Sequence, residues 1–548
     1  MIKKIMLGNE AIVQGALEAG VDFVSGYPGC PAAEIGEEFF KIAKENGIYA
    51  EWSTNEKVAL EAAIGASFSG LKSLVNMKSF GINVCSDSLF PLAYTGTKAG
   101  MIIVVADDPS CHSSAQSEQD SRGYAYLSHI PTLEPSDPQE CYEFTKLGFE
   151  ISEKFNTPVI LRTTTRVAHQ RMPVEFNKVN SRPQKIGEFI KNPHQFSTMP
   201  PRVLEMKKEL LEKIEKIGVY TEKSDLNKVS GSLTPAKLGI IVSGVAYLHT
   251  VEALEELGLD SPILKLGFFY PLPEKKIGNF IKGLKQVLVI EELEPYLEKE
   301  IKIIAKDVNT KLQIFGKNVL PEIGELDTQK VAIALAKIMN KKLKIVPLGG
   351  SPLWREKLEI PRRYPRLCEG CPYWYALPTI KRVAPEGTIF GGDIGCNMIA
   401  GLPTHSMQDY LFSMGAGLGI SHGVKKSTDQ KVISIMGDGT FFHAGIPALI
   451  NTVFNKSNPL LVILDNRITA MTGLQPNPGM GKTGMGEETV ELKLEEIIRA
   501  CGVNYIKVLD SANIKELEDA IKEFLDKKEV SVIICRRICA LLAKRQKQ

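Results

Sequence analysis

Neither sign of charge is in surplus in this 548-residue sequence, where 66 Lys+Arg stand against 64 Asp+Glu for a formal net charge of +2. That leaves no basic field for nucleic acid and no acidic tail. Long apolar runs are missing too, so no membrane span is expected. The first twenty residues, MIKKIMLGNEAIVQGALEAG, have neither an apolar signal core nor a small-residue cleavage pattern. A cytoplasmic placement follows, in which the ten cysteines are reduced thiols or metal ligands. No short-period repeat or low-complexity tract points to a solenoid.

What is present is an ordinary globular composition, 44% hydrophobic and 24% charged, in a chain too long for one core. Residues 1–181 alternate helix-like stretches with short apolar runs, Met101 to Ala106 and Pro158 to Leu161. That texture predicts α/β structure with a buried parallel sheet. Residues 182–234 turn to charged helix between polar, Pro-containing stretches and read as a helical linker. A second α/β unit is expected over 235–346, with strands at Leu238 to Ser243 and Gln286 to Ile290. A Pro/Gly-rich joint from Pro347 to Pro352 opens a third, 347–548, with strands at Val432 to Met436 and Leu460 to Leu464.

The sharpest motif lies in the third unit. Gly437-Asp438-Gly439 follows an apolar strand; a helix and a second strand then lead to Asp465-Asn466, with 26 residues between Gly439 and Asn466. In a strand, helix, strand crossover both strands end at the same sheet edge, so Asp438 and Asn466 can converge on one cation. Mg²⁺ suits such a site, taking a few protein oxygens and completing its shell with phosphates and water. The glycines, with Thr440 and Ile468 beside them, allow close approach to a diphosphate at a helix N-terminus. This is the thiamine diphosphate signature. A dinucleotide reading of Gly415 to Gly419 fails because the third glycine falls on Ile420, and Lys482-Thr483 is no P-loop because Pro476 stands where a glycine is needed.

Thiamine catalysis needs a carboxylate against the aminopyrimidine ring. Glu56, opening a small-residue helix, is the candidate; Glu51 and Glu61 are weaker ones, and an acid in a first turn also simply complements the helix dipole. The polar stretch His112 to Arg122 follows an apolar strand, where α/β proteins place binding loops. His112, Gln116 and Arg122 are its candidate substrate ligands, Arg122 being suited to bidentate carboxylate recognition; a solvated loop is the alternative. His443 is positioned to protonate or orient an intermediate, or to pack a helix. Gly473 to Gly486 has the Gly/Pro content of a covering loop.

Gly26 to Ile35 (GYPGCPAAEI), the Asn55-Glu56 helix, Leu367 to Pro372 (LCEGCP), Gly392 to Cys396 (GDIGC), Gly437 to His443 (GDGTFFH), Leu264 to Pro273 and Glu291 to Pro295 together resemble the alpha subunits of indolepyruvate ferredoxin oxidoreductases. The resemblance spans nearly the whole chain. It implies two thiamine diphosphate-binding-fold domains, pyrimidine-binding over 1–181 and diphosphate-binding over 347–548, flanking a transketolase C-terminal-like domain. Family members commonly carry threonine at the position of Cys30, which is thought to face the 2-oxo acid, so the thiol here bears on substrate preference. They usually continue into a ferredoxin-like segment with two CxxCxxCxxxCP runs beyond the position of Gln548.

Cys368 and Cys371, then 24 residues to Cys396, give three thiols that can gather near the cofactor domain. Related 2-oxoacid ferredoxin oxidoreductases hold a proximal [4Fe-4S] cluster with a similar set and one late cysteine, which here is Cys539, with Cys535 and then Cys501 as alternatives. Zinc uses the same ligands, and plain buried thiols are a third reading. Cys85, Cys111 and Cys141 have no ligand spacing and are expected in the core. The resemblance implies oxidative decarboxylation of an arylpyruvate to an acyl-CoA, with electrons passing to ferredoxin. It also implies a small beta subunit and a dimer of heterodimers, the cofactor lying between domains. A non-redox thiamine decarboxylase or acetolactate-type carboligase is the rival enzyme, and a non-catalytic scaffold would require broken site residues.

Overall fold

The computed structural model describes residues 2–233, 236–341 and 363–547; the joint expected from Pro347 to Pro352 lies outside them. Two compact units divide the chain, Met1–Ile345 and Val346–Gln548, and each is described by itself.

In the first unit, β2 (Phe23–Gly26), β3 (Tyr49–Trp52), β4 (Ser73–Lys78), β5 (Met101–Asp107), β6 (Thr132–Leu133), β7 (Val159–Thr164) and β12 (Phe268–Tyr270) form a sheet in the order β12-β6-β7-β5-β4-β2-β3. All pairs are parallel except β12 with β6. β5, reading MIIVVAD, is buried along its whole length. Helices cover both faces of such a strand, and each enclosed Ile or Val contributes about 1.5–3 kcal/mol. One strand of this sheet, β12, comes from the segment expected to be the second domain. Its own sheet, β14-β13-β10-β11-β9, contains β10 (Leu238–Ser243), β11 (Ile263–Leu266), β13 (Gln286–Ile290), β14 (Gln313–Phe315) and β9 (Asn227–Ser230). β9 falls within the stretch expected to be linker. The charged helix Arg202–Lys223 of that stretch buries Met206, Leu210 and Ile217 on one stripe, and Leu210 joins the core with Cys85 and Leu89.

A buried ion network fastens these layers together. Arg122 is 1% exposed; its guanidinium meets Asp120 at 2.6 Å and Glu291 at 2.9 Å and donates to the carbonyls of Glu292 and Glu294. Phe269 and Tyr296 present their rings to it at 5.1 and 5.5 Å. Arg162 beside it bonds Asp107 at 2.9 Å and Glu134 at 2.7 Å. The expectation that Arg122 binds substrate is therefore corrected: its donors are spent inside the protein, linking the 108–122 loop to the segment after β13. Cys85 and Cys141 are buried as expected, whereas Cys111 is half-exposed in that loop with φ at 51°.

The second unit holds β15 (Ile389–Gly391), β16 (Val432–Gly437), β17 (Leu460–Asp465), β18 (Tyr505–Asp510) and β19 (Ser531–Arg536) in the order β15-β16-β17-β19-β18, every pair parallel. Among the described residues no helix is long and apolar enough to cross a membrane.

The ion network makes stability sensitive to substitution and to pH. Arg122→Met strands Asp120 and Glu291 in the interior and should cost about 3–5 kcal/mol, read as a lowered denaturation midpoint. Burial pushes the Glu292 carboxyl up to about 7. Raised in the folded state, it favours folding below the ordinary carboxylate range, and that contribution is lost as pH rises through 7. Glu292→Gln should thus stabilise the protein at pH 8 and not at pH 4; an equal effect at both would refute this assignment.

Candidate active site

Parallel register in the second unit sets Gly437 opposite Leu464, so Asp438 and the pair Asp465-Asn466 leave the sheet side by side. Asp438 is 3% exposed. Burial and then the neighbouring Asp465 push its carboxyl up to about 7. Asn477, from the Gly/Pro-rich 473–486 stretch, donates to its Oδ2 at 2.9 Å, so that stretch does reach the motif. Asp465 is held by Arg536 at 2.6 Å, and Arg536 also grips Glu495 at 2.6 Å.

Asn466 is fixed from three sides. Its Nδ2 donates to the Tyr373 hydroxyl at 3.1 Å, which in turn donates to the Leu464 carbonyl at 3.1 Å. Its Oδ1 accepts the Ile468 N–H at 3.2 Å, and its carbonyl accepts the Cys539 N–H at 3.0 Å. The amide is thereby oriented with one Oδ1 lone pair to spare. A buried carboxylate and an amide oxygen are hard-oxygen donors of the kind Mg²⁺ takes. Among the described residues no group of three His, Cys, Asp or Glu side chains is arranged to hold a metal ion; this donor set contains one carboxylate and no thiol. A Cβ on Gly439 would stand 3.0 Å from Thr469 Oγ1, so the glycine keeps that approach open.

Thr440 donates to the Ile394 carbonyl at 3.2 Å. A π-helical turn, Phe441–Gly445, carries the buried His443, a departure from α geometry that often marks a functional segment. Near it lies Asp393, fully buried, accepting the Gly415 N–H at 2.9 Å through Oδ1. Burial raises its carboxyl to about 7. Sequence reasoning passed over Asp393, Asn477 and Tyr373, although Asp393 stands within Gly392 to Cys396 and Tyr373 directly succeeds Leu367 to Pro372.

Four cysteines of this unit feel one another's charge, although among the described residues no three of them form a group arranged to hold a metal ion. Burial pushes the Cys396 thiol up to about 12, with Cys371, Cys539, Cys368 and Asp438 adding to it, and Cys371 to about 11, with Cys368 and Cys539 adding. Cys368 is exposed, its carbonyl accepting from the Cys371 N–H at 3.1 Å and from Trp374 Nε1 at 3.1 Å. Cys535 and Cys501 instead pack into two different apolar cores, and no other thiol contributes to their shifts.

In the first unit, Glu56 opens helix Glu56–Phe68 after the N-cap Asn55, whose side chain accepts the Val58 N–H at 2.9 Å. It is 8% exposed, whereas Glu61 is exposed and paired with Lys57 and Glu51 is half-buried and bonded to Ser53. A Cβ on Gly81 would stand 2.7 Å from Glu56 Cγ, so glycine there lets helix Ser79–Thr95 close on the carboxylate. Cys30 is half-buried, and its carbonyl accepts Ser113 Oγ at 3.3 Å. His112 is exposed and faces Glu325 at 3.4 Å. Gln116 is half-buried with no hydrogen bond among the described residues.

Comparison with known proteins places the chain in a family. Residues 14–222 match the pyruvate flavodoxin/ferredoxin oxidoreductase thiamine diphosphate-binding profile, 227–345 an indolepyruvate oxidoreductase domain, and 393–535 the thiamine pyrophosphate enzyme C-terminal TPP-binding domain. The indolepyruvate oxidoreductase subunit IorA of Methanothermobacter marburgensis is 45% identical over 98% of this chain and 87% of its own length. That of Pyrococcus horikoshii is 41% identical over 98% and 86%. Among solved structures, the 2-oxoglutarate:ferredoxin oxidoreductase of Magnetococcus marinus shares the fold, with a TM-score of 0.50 at 19% identity over 61% of this chain and 65% of that one. The chain belongs to the IorA family of indolepyruvate oxidoreductase subunits, thiamine diphosphate-dependent 2-oxoacid oxidoreductases.

Proposed function

We propose that the chain carries out the oxidative decarboxylation of an arylpyruvate-type 2-oxo acid to an acyl-CoA, with electrons leaving through a [4Fe-4S] cluster to ferredoxin. What supports this reading is that the Cys396 thiol feels the charge of Cys371, Cys539, Cys368 and Asp438, beside the sequence spacing of the four cysteines. A redox centre there would stand beside the diphosphate motif. The non-redox decarboxylase or carboligase has no use for that thiol set. Zinc would satisfy the thiols without serving electron transfer.

When bound, thiamine diphosphate supplies the carbanion stabilisation that lets a 2-oxo acid lose carbon dioxide. Asp438 and Asn466 would hold Mg²⁺, and Gly437, Gly439, Thr440 and Ile468 would line the approach of the diphosphate. Glu56 would supply the carboxylate that activation of the aminopyrimidine ring needs. Cys30 borders the substrate, and His443 gives or holds a proton at its imidazole. A small beta subunit, coenzyme A and ferredoxin complete the system, in a dimer of heterodimers.

Glu56→Gln should leave thiamine diphosphate affinity within about threefold while lowering kcat by roughly 10²–10⁴, the span of general acid–base catalysis; equilibrium binding and steady-state turnover read the two separately. Anaerobic purification with iron, sulfide, zinc and thiamine analysis tests the redox centre. Roughly four irons and four sulfides per chain are expected, lost in Cys396→Ser and kept in Cys535→Ser. Thiamine diphosphate without iron would favour the non-redox alternative.

A further inference from the structure

Lys78 ends β4, where the buried run Ser73 to Met77 meets the carboxyl edge of the sheet. Its stem lies against the 27–31 turn: a Cβ on Gly29 would stand 2.9 Å from Lys78 Cβ, so glycine there seats the turn, and Cys30 with it, on the lysine. Nζ donates to the Ser113 carbonyl at 2.7 Å and lies 5.1 Å from the centre of the Phe80 ring. Among the described residues no carboxylate comes within ion-pair distance of it. Asp108, whose charge it feels together with the thiols of Cys30 and Cys111, is occupied by the Ser113 N–H at 2.8 Å, Ser114 Oγ at 2.6 Å and Thr165 Oγ1 at 2.6 Å.

Among the described residues, three other cationic side chains of this unit are already paired. Arg162 holds Asp107 and Glu134, Arg166 holds Glu325 at 2.6 Å, and His169 meets Glu34 at 3.2 Å. Glu56 closes the frame, since it packs on Gly81, three residues beyond Lys78 in the first turn of the next helix. An unpaired ammonium, the Cys30 turn and the candidate catalytic carboxylate therefore border one helix start.

We propose that Lys78, in place of Arg122, receives the carboxylate of the 2-oxo acid; this rests on the reaction proposed above. An ammonium has three donors, and one goes to Ser113, which leaves two for the incoming anion. As a compact point charge on a flexible stem it attracts the carboxylate most strongly before carbon dioxide begins to leave as a neutral molecule. The contact thus favours the bound substrate over the transition state, and its loss appears in KM rather than kcat.

The test uses the holoenzyme with phenylpyruvate as the probe, coenzyme A and a viologen acceptor. Lys78→Met and Lys78→Gln should raise KM roughly 10- to 100-fold, the size of a lost charge-assisted hydrogen bond. Neither kcat nor thiamine diphosphate affinity should fall, and Lys78→Arg should recover part of the loss. Lys78→Gln carries the comparison where circular dichroism finds Lys78→Met misfolded. Wild-type turnover with KM unchanged in the folded variants, or with kcat alone reduced, overturns the carboxylate site and leaves the reaction standing. A wild-type holoenzyme that turns over no 2-oxo acid overturns both.

Discussion

Parallel pairing of β16 with β17 is the constraint on which the second unit depends. Because parallel strands end at one edge, Asp438 and Asn466, far apart in sequence, emerge together. Three further side chains reinforce that convergence: Arg536 at the end of β19 fixes Asp465, Tyr373 orients the Asn466 amide, and Asn477 reaches in to Asp438. Each supporting group comes from a different stretch of chain, so the donors are preorganised by elements with no direct part in binding.

The first unit solves a different problem. Its 108–122 loop carries many polar groups over an apolar sheet, and burying charge is costly unless every ion is bonded. Two arginines collect the carboxylates of Asp107, Asp120, Glu134 and Glu291. Stacking of Arg122 on Phe269 and Tyr296 adds the strand and helix of the next segment to the same knot. The loop is thus held on two sides, with the cis Cys30–Pro31 turn and Lys78 alongside.

Much of this was legible because the signals were local or periodic. Apolar runs such as Met101 to Ala106 announced the buried strands, and the Gly437-Asp-Gly motif announced its own turn. The spacing from Cys368 to Cys396 pointed to thiols that feel one another's charge in the second unit. Long-range ion pairing was not legible: nothing in the sequence around Arg122 announces Glu291, 169 residues away, which pairs with it alongside the neighbouring Asp120. β12 and β9 were missed for a related reason, since a strand of three or four residues that completes another segment's sheet has no alternation long enough to register. Lys78 closes an apolar run, and a lone charge in that place reads as the end of a strand unless the turn that covers it is known.

The Asn466 backbone and side chain bind two separate cysteine-bearing segments, Tyr373 two residues after Cys371 and the N–H of Cys539 itself. The spacing between Cys371 and Tyr373 is therefore under geometric control from the diphosphate side. Transplanting the CxxC loop into a related scaffold means carrying the tyrosine with it at the same offset. Lengthening that offset by a single residue would turn the hydroxyl away from the amide and free the Asn466 side chain.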